Sequence, residues 1–344
     1  MQYKCDRSII IWLLIVCLMI FSMVIIGGIT RLTDSGLSMV EWKPLMGAIP
    51  PLSAVEWDRV FNLYKQYPEY QKVNAGMTLS EFKFIFFWEY FHRLFGRLIG
   101  IVFLLPYLYF LIKKKLPKSL NRRLFIAFFL GGLQGFMGWY MVKSGLVDRP
   151  DVSHFRLAAH FGLALIIIGY IFWIIFDQIE LSSEDFIFYP KLYKSILILL
   201  LILSVQIIYG AFVAGLDAGL AYNTFPKMGT QWVAEKVFSN IPIWKDFIEN
   251  SATIQFTHRT LGWLVLILSI YIFIIGKNVT NRVQKRSLNY LSIMVLVQFV
   301  LGVMTLLMMV PISIASAHQG GAVILLILTL RALYNFAPNR TRIV

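Results

Sequence analysis

Two stretches decide the reading of this chain: Glu89-Tyr90-Phe91-His92-Arg93-Leu94-Phe95-Gly96 and Gln255-Phe256-Thr257-His258-Arg259-Thr260-Leu261-Gly262. Each opens a long apolar run, and each places a histidine and an arginine at its start. A run of about 20 apolar residues is what a bilayer core demands of a helix, and lipid leaves helices as the only way to satisfy the backbone of such runs. Hydropathy places eight of them, near 9–29, 88–112, 124–142, 155–176, 195–215, 255–276, 288–309 and 313–334. The fold class is therefore all-α integral membrane, with eight transmembrane helices.

The rest of the composition agrees. Of 344 residues, 58% are hydrophobic and 15% charged, where soluble domains carry roughly 25% charged residues. The net charge of +14 lies mostly in short segments flanking the apolar runs, where it sets orientation. It does not form a nucleic-acid surface. Lys113, Lys114, Lys115, Lys118, Arg122 and Arg123 separate the second and third runs. Lys277, Arg282, Lys285 and Arg286 separate the sixth and seventh. Lys4, Arg7, Arg331, Arg340 and Arg342 mark the ends. All fall on one side if the helix count is even, which puts both termini in the cytoplasm, or in the matrix of a mitochondrion. The loops 30–87 and 216–254 then lie outside. They hold no Cys or His and are too short for a separate catalytic domain, so the chemistry belongs in the membrane. Cys5 and Cys17 suggest neither a disulfide nor a thiolate metal site, and the first run is too long for a cleaved signal.

The chain repeats itself. Gly27 followed by Asp34-Ser35-Gly36-Leu37 is echoed by Gly210 followed by Asp217-Ala218-Gly219-Leu220. Gln134 and Gly138 in the third run correspond to Gln298 and Gly302 in the seventh. Ala159-His160-Phe161-Gly162 corresponds to Ala317-His318-Gln319-Gly320. Four matches in order indicate a duplication: residues 1–180 and 181–344 form two parallel-repeat four-helix halves related by an axis along the membrane normal.

His92, His160, His258 and His318 lie early in the even-numbered helices, so two imidazoles per half should stand at one depth. Imidazole inside a membrane is expensive and a functional candidate by default, and it is the usual axial ligand of haem. Two His facing each other in a bundle can grip a flat macrocycle. Arg93 and Arg259, beside the ligand positions, could pair with carboxylates at its edge. Zinc fits less well, since each half offers two His and no thiolate. His154 lacks a counterpart and is expected to be a surface residue. The halves differ three residues before the first histidine of each pair. Glu89 shares a helix face with His92 and should point to its cavity, where it could move protons, whereas Gln255 is neutral. The alternative for Glu89 is an ion pair with Arg93 or Arg97.

With these motifs in place, the chain resembles the haem A synthase family along nearly its whole length, in the type that lacks paired cysteines in the outer loop. The segment Thr30-Arg31-Leu32-Thr33-Asp34-Ser35-Gly36-Leu37 adds to the likeness. The resemblance implies an enzyme that oxidises the C8 methyl of haem O to a formyl group, giving haem A for terminal oxidases. His92 and His160 would flank the substrate with Glu89 assisting, and His258 and His318 would ligate a haem b cofactor. It also implies haem O synthase, terminal-oxidase assembly proteins and an electron donor of unspecified kind as partners. Self-association is compatible with it, although small-x-x-x-small patterns are too common in membrane helices to mark an interface. The rival readings are a di-haem b-type electron-transfer cytochrome, which would use the same four histidines, and a transporter, since parallel repeats occur there too.

Overall fold

The computed structural model describes residues 6–41, 49–146, 150–179, 187–240 and 242–338. Cys5, Lys4, Glu180, Arg340, Arg342 and the boundary expected at 180/181 lie outside the described residues. Eleven α-helices follow in order: α1 Arg7–Leu32, α2 Ala54–Tyr64, α3 Pro68–Lys72, α4 Leu79–Ile112, α5 Lys118–Lys143, α6 His154–Gln178, α7 Pro190–Gly215, α8 Asp246–Glu249, α9 Ser251–Ile275, α10 Arg282–Leu307 and α11 Ile312–Phe336. Eight of them are long and apolar enough to cross a membrane, matching the eight runs read from the sequence. The chain is an integral membrane protein by this measure.

Packing follows the chain. Helix α1 packs on α4, α4 on α5, α5 on α6 and α6 back on α1. Likewise α7 packs on α9, α9 on α10, α10 on α11 and α11 on α7. The two rings meet where α6 lies against α7 and α11, and α11 against α1. Aliphatic side chains fill these seams, among them Leu13, Ile168, Ile174, Ile196, Leu199 and Val323, each fully buried. Because lipid tails are as apolar as these side chains, the seams are held by close van der Waals packing and by interhelical hydrogen bonds. The outward faces carry Ile11, Leu18, Phe129, Ile267 and Leu296, which suits lipid.

Polar side chains tie helices together at defined points. Trp12 Nε1 donates to the Val102 carbonyl at 2.9 Å, joining α1 to α4. Gln319 Nε2 donates to the Val24 carbonyl at 3.1 Å, joining α11 to α1 beside His318. Cys17 is a free, buried thiol in α1.

The largest difference from the boundaries read in the sequence is at the start of α4. Helix α4 starts at Leu79 rather than near 88, because Thr78 and Glu81 form a capping box that starts the helix well before the apolar run. The extra turns carry Phe82, Ile85 and Phe86, which bury against Phe61 and Tyr64 of α2. Phe61 stacks on Phe82 with centroids 4.9 Å apart. The long first loop is thus folded onto the end of α4 and covers the end of the bundle where His92 lies.

Candidate haem sites

Each candidate histidine faces a glycine on a neighbouring helix. A Cβ built on Gly27 of α1 would lie 3.5 Å from His92 Nε2, and one on Gly210 of α7 would lie 3.2 Å from His258 Cε1. A Cβ on Gly138 of α5 would meet His160 at 3.2 Å, and one on Gly302 of α10 would meet His318 at 2.9 Å. These are the four glycines that mark the sequence repeat. Their physical role is to let an imidazole lie against backbone, where any larger side chain would push the ring away.

The ligand pairs stand on helices that are diagonal in their rings, α4 and α6 in the first half and α9 and α11 in the second. The His258 and His318 rings are 6.4 Å apart between centroids and 88° apart in plane. An imidazole nitrogen sits about 2 Å from a metal it ligates, so two in-line ligands place their ring centres about 6 Å apart. The second pair therefore fits one six-coordinate iron between its rings. His258 Nδ1 is buried without a hydrogen-bond partner. His318 is oriented by Gln298, whose Nε2 donates to its carbonyl at 2.8 Å and lies 3.1 Å from its Nδ1. Gln134 does the same for His160, donating to its carbonyl at 3.0 Å and lying 3.3 Å from its Nδ1. Glutamine at these positions fixes the ligand as a second partner does in metal sites generally. Among the described residues no three His, Cys, Asp or Glu converge on a common point.

The residues before the first histidine of each pair form a clasp on the outer loop. Glu89 is 2% exposed. Its Oε2 accepts from Ser38 Oγ and from the Met39 amide, both at 2.7 Å, and its Oε1 accepts from Arg93 Nη2. Arg93 Nη2 also donates to the Met39 carbonyl at 3.0 Å. Glu89 thus has both oxygens engaged by the loop and Arg93, and the Arg93 ion pair is the one the sequence offered as its alternative. Position i+4 prevails over i+3 because a buried carboxylate needs a charged partner, and Arg93 supplies one. In the second half Gln255 is also 2% exposed. Its Nε2 donates to the Tyr222 carbonyl at 3.0 Å, and Arg259 Nη2 donates to the same carbonyl at 2.7 Å and to Gln255 Oε1 at 3.2 Å. Met39 and Tyr222 stand at the same offset from Asp34 and Asp217. Both arginines are therefore anchored to loop carbonyls at the mouth of their bundles.

Sequence reasoning missed several partners. Ser38 and Met39 carry no motif signal, since one acts largely through its backbone. Arg31 bridges the halves: its guanidinium meets Asp34 Oδ1 at 2.8 Å and both oxygens of Asp217 at 2.9 Å. Asp34 and Asp217 both adopt positive φ, 48° and 49°, which Asp tolerates better than most residues. The repeated Asp was the visible trace of that turn. His154, expected at the surface, is half-buried. Its Nε2 donates to the Ile248 carbonyl at 2.7 Å, and its ring lies 4.1 Å from that of Phe155, so it pins α8 to the start of α6.

Comparison with known proteins extends this geometry. The family described as cytochrome oxidase assembly protein, COX15-CtaA, matches residues 10–330. The heme A synthase of Nitrosospira multiformis is 46% identical over 94% of this chain and 92% of its own length. That of Flavobacterium psychrophilum is 46% identical over 97% of this chain and 99% of its own. That of the Wolbachia of Brugia malayi is 44% identical over 93% and 94%. Matched almost from end to end at this level of identity, the chain belongs to the haem A synthase family of cytochrome oxidase assembly proteins.

Proposed function

We propose that the protein is a haem A synthase that oxidises the C8 methyl of haem O to a formyl group. The observation that carries this reading is the set of four histidines, each seated on a glycine at a duplicated position, with the second pair spaced for one iron. The division of labour is between residues 1–180, which take the substrate, and 181–344, which hold a cofactor. His92 and His160 flank haem O. His258 and His318 hold a haem b, with Arg259 as the nearby cation for its carboxylates. A haem b bound there supplies one-electron redox chemistry.

The chain's own residues do the positioning and the proton handling. Gly27 and Gly138 let the first pair of rings approach the bundle axis, and Gln134 fixes His160. Glu89 Oε2, hydrogen-bonded to the Ser38 hydroxyl, is the group that accepts or returns protons as the methyl is oxidised. Arg93 holds the Glu89 carboxylate in place and closes the loop that keeps water from the site. In this reading the protein lies in a bacterial cytoplasmic membrane with both termini in the cytoplasm, an orientation that the basic segments around 113–123 and 277–286 support. Haem O synthase, oxidase assembly factors and an electron donor are its partners in this reading.

Expression in cells that make haem O, followed by pigment extraction, tests it. The native protein should yield haem A, and His92→Ala should not. A native protein that returned its haem unchanged would be an electron-transfer cytochrome and would overturn the assignment.

A further inference from the structure

The two halves are sealed differently beside their histidines. In the second half Trp263 of α9 and Phe299 of α10 pack at 4.8 Å between centroids. Phe225 of the outer loop lies 5.8 Å from Trp263 and 6.0 Å from Phe299, completing an aromatic plug in the α9–α10 seam. Leu266 and the buried Val295 continue that filling along the same two helices. The duplication maps these positions onto the first half without ambiguity, because His92 aligns with His258 and Gln134 with Gln298. Trp263 becomes Arg97, Leu266 becomes Gly100, Val295 becomes Gly131 and Phe299 becomes Gly135.

Three large apolar residues are therefore glycines in the first half, and the space at their Cβ positions is open. A Cβ built on Gly100, Gly131 or Gly135 would meet nothing within 4 Å. Glycine in membrane helices usually lets backbones approach closely. Here the opposite holds, for α9 and α10 are in closer contact than α4 and α5. The gap adjoins the candidate substrate site, since Gly135 lies one turn along α5 from Gly138, which seats His160, and beside Gln134, which orients it. It is bordered by Leu98, Ile101, Leu133 and Phe136, all exposed on the lipid side.

We propose that the α4–α5 seam receives the long isoprenoid side chain of the haem substrate, and that Gly135 is the position that admits it. The inference rests on the substrate role given above to the first half. A haem O molecule is a flat polar-edged ring with one extended apolar tail. A site for it needs an outlet from the bundle into hydrocarbon, whereas a site for haem b, which has no such tail, is better sealed. The glycine-lined seam and the aromatic plug match those two needs.

The test uses the purified full-length protein with its second-half haem in place, titrated separately with haem O and with iron protoporphyrin IX. Wild type and Gly135→Ala should bind both in the first half. Gly135→Phe, which copies Phe299, should weaken haem O binding by about ten-fold or more while leaving iron protoporphyrin IX within about two-fold. Retention of the second-half haem spectrum shows that the variant is folded. If it is not folded, Gly131→Val, which copies Val295, should give a smaller loss of the same selectivity. Unchanged haem O binding by the folded variant, or equal loss of both haems, would overturn the seam. A wild-type protein that forms no haem A would overturn the synthase reading instead, and the binding contrast would still decide the seam.

Discussion

At the mouth of the first bundle Glu89 and Arg93 close on Ser38 and Met39; at the same place in the second, Gln255 and Arg259 close on Gly219 and Tyr222. The Met39 and Tyr222 carbonyls coincide by register, and Glu89 and Gln255 are both buried. The carboxylate is present in the first half alone. The Gln–Arg clasp, whose one charge is that of Arg259, holds its loop with hydrogen bonds to the carbonyls of Gly219, Tyr222, Thr224 and Lys227, so a carboxylate is not needed for closure. Its presence in one half alone therefore calls for a role beyond architecture, and proton handling at the substrate is the role its chemistry fits.

The largest effect should come from removing each arginine. Arg93→Met leaves the Glu89 carboxylate buried without its charged partner, a change that costs about 3–5 kcal/mol. Arg259→Met leaves only carbonyls short of a donor, at about 1–3 kcal/mol. Thermal unfolding of the two purified variants should rank them in that order, and equal losses would erase the distinction between a clasp with a carboxylate and one without.

Glu89→Gln converts the first clasp into the second. Because Gln255 and Arg259 already show that this pair closes, the variant should fold and keep its second-half haem. Haem A production should fall by about 100-fold or more, the contribution typical of a positioned acid or base. Full turnover by the variant would remove the proton role. A third comparison concerns the glycine seats. Gly302→Ala would force a Cβ to 2.9 Å from His318, against 3.5 Å from His92 in Gly27→Ala. Overpacking of that kind costs about 1 kcal/mol or more. The second-half haem of Gly302→Ala should be lost more readily on dilution, and Gly27→Ala should behave nearly as wild type.

The sequence carried the helices because a bilayer imposes one length and one composition on each of them, and it carried the histidine positions because duplication printed them twice. What it could not carry was direction. Glu89 shares a face with His92, yet its partner is Arg93, and the sequence offers both spacings without saying which one burial favours. Met39 and Tyr222 accept hydrogen bonds through their carbonyls, so their identities hold no trace of the contact. The glycines were visible as repeat marks, but a missing side chain does not name the ring that fills its place. The early start of α4 was written in Thr78 and Glu81, in a segment too charged to stand out from the loop around it.

The smallest effect on the haem sites should come from the two buried acids of the outer loops, which differ as the clasps do. Asp246, fully buried, accepts from the Asn240 amide at 3.0 Å, from Asn240 Nδ2 at 2.8 Å and from Asn250 Nδ2 at 2.7 Å. Glu69, 5% exposed, accepts at its carboxyl from the Tyr64 hydroxyl at 2.8 Å, and that hydroxyl accepts in turn from Asn74 Nδ2 at 2.8 Å. Burial pushes the Glu69 carboxyl up to about 8, from an ordinary value of 4.5. Between those two values the folded loop holds a proton that the unfolded loop has released. Stability of the loop must then fall as pH rises through that window and level off above about 8. Amide exchange in residues 54–78, corrected for the intrinsic pH dependence of exchange, should be slower at about pH 5 than at about pH 8.5. Glu69→Gln cannot ionise, so the same segment should show equal protection at both. Because Phe61 and Tyr64 of this loop pack on Phe82, beyond the clasp, haem A production near neutral pH should change little. A wild-type loop equally protected at both pH values would mean that Glu69 is charged in the folded protein.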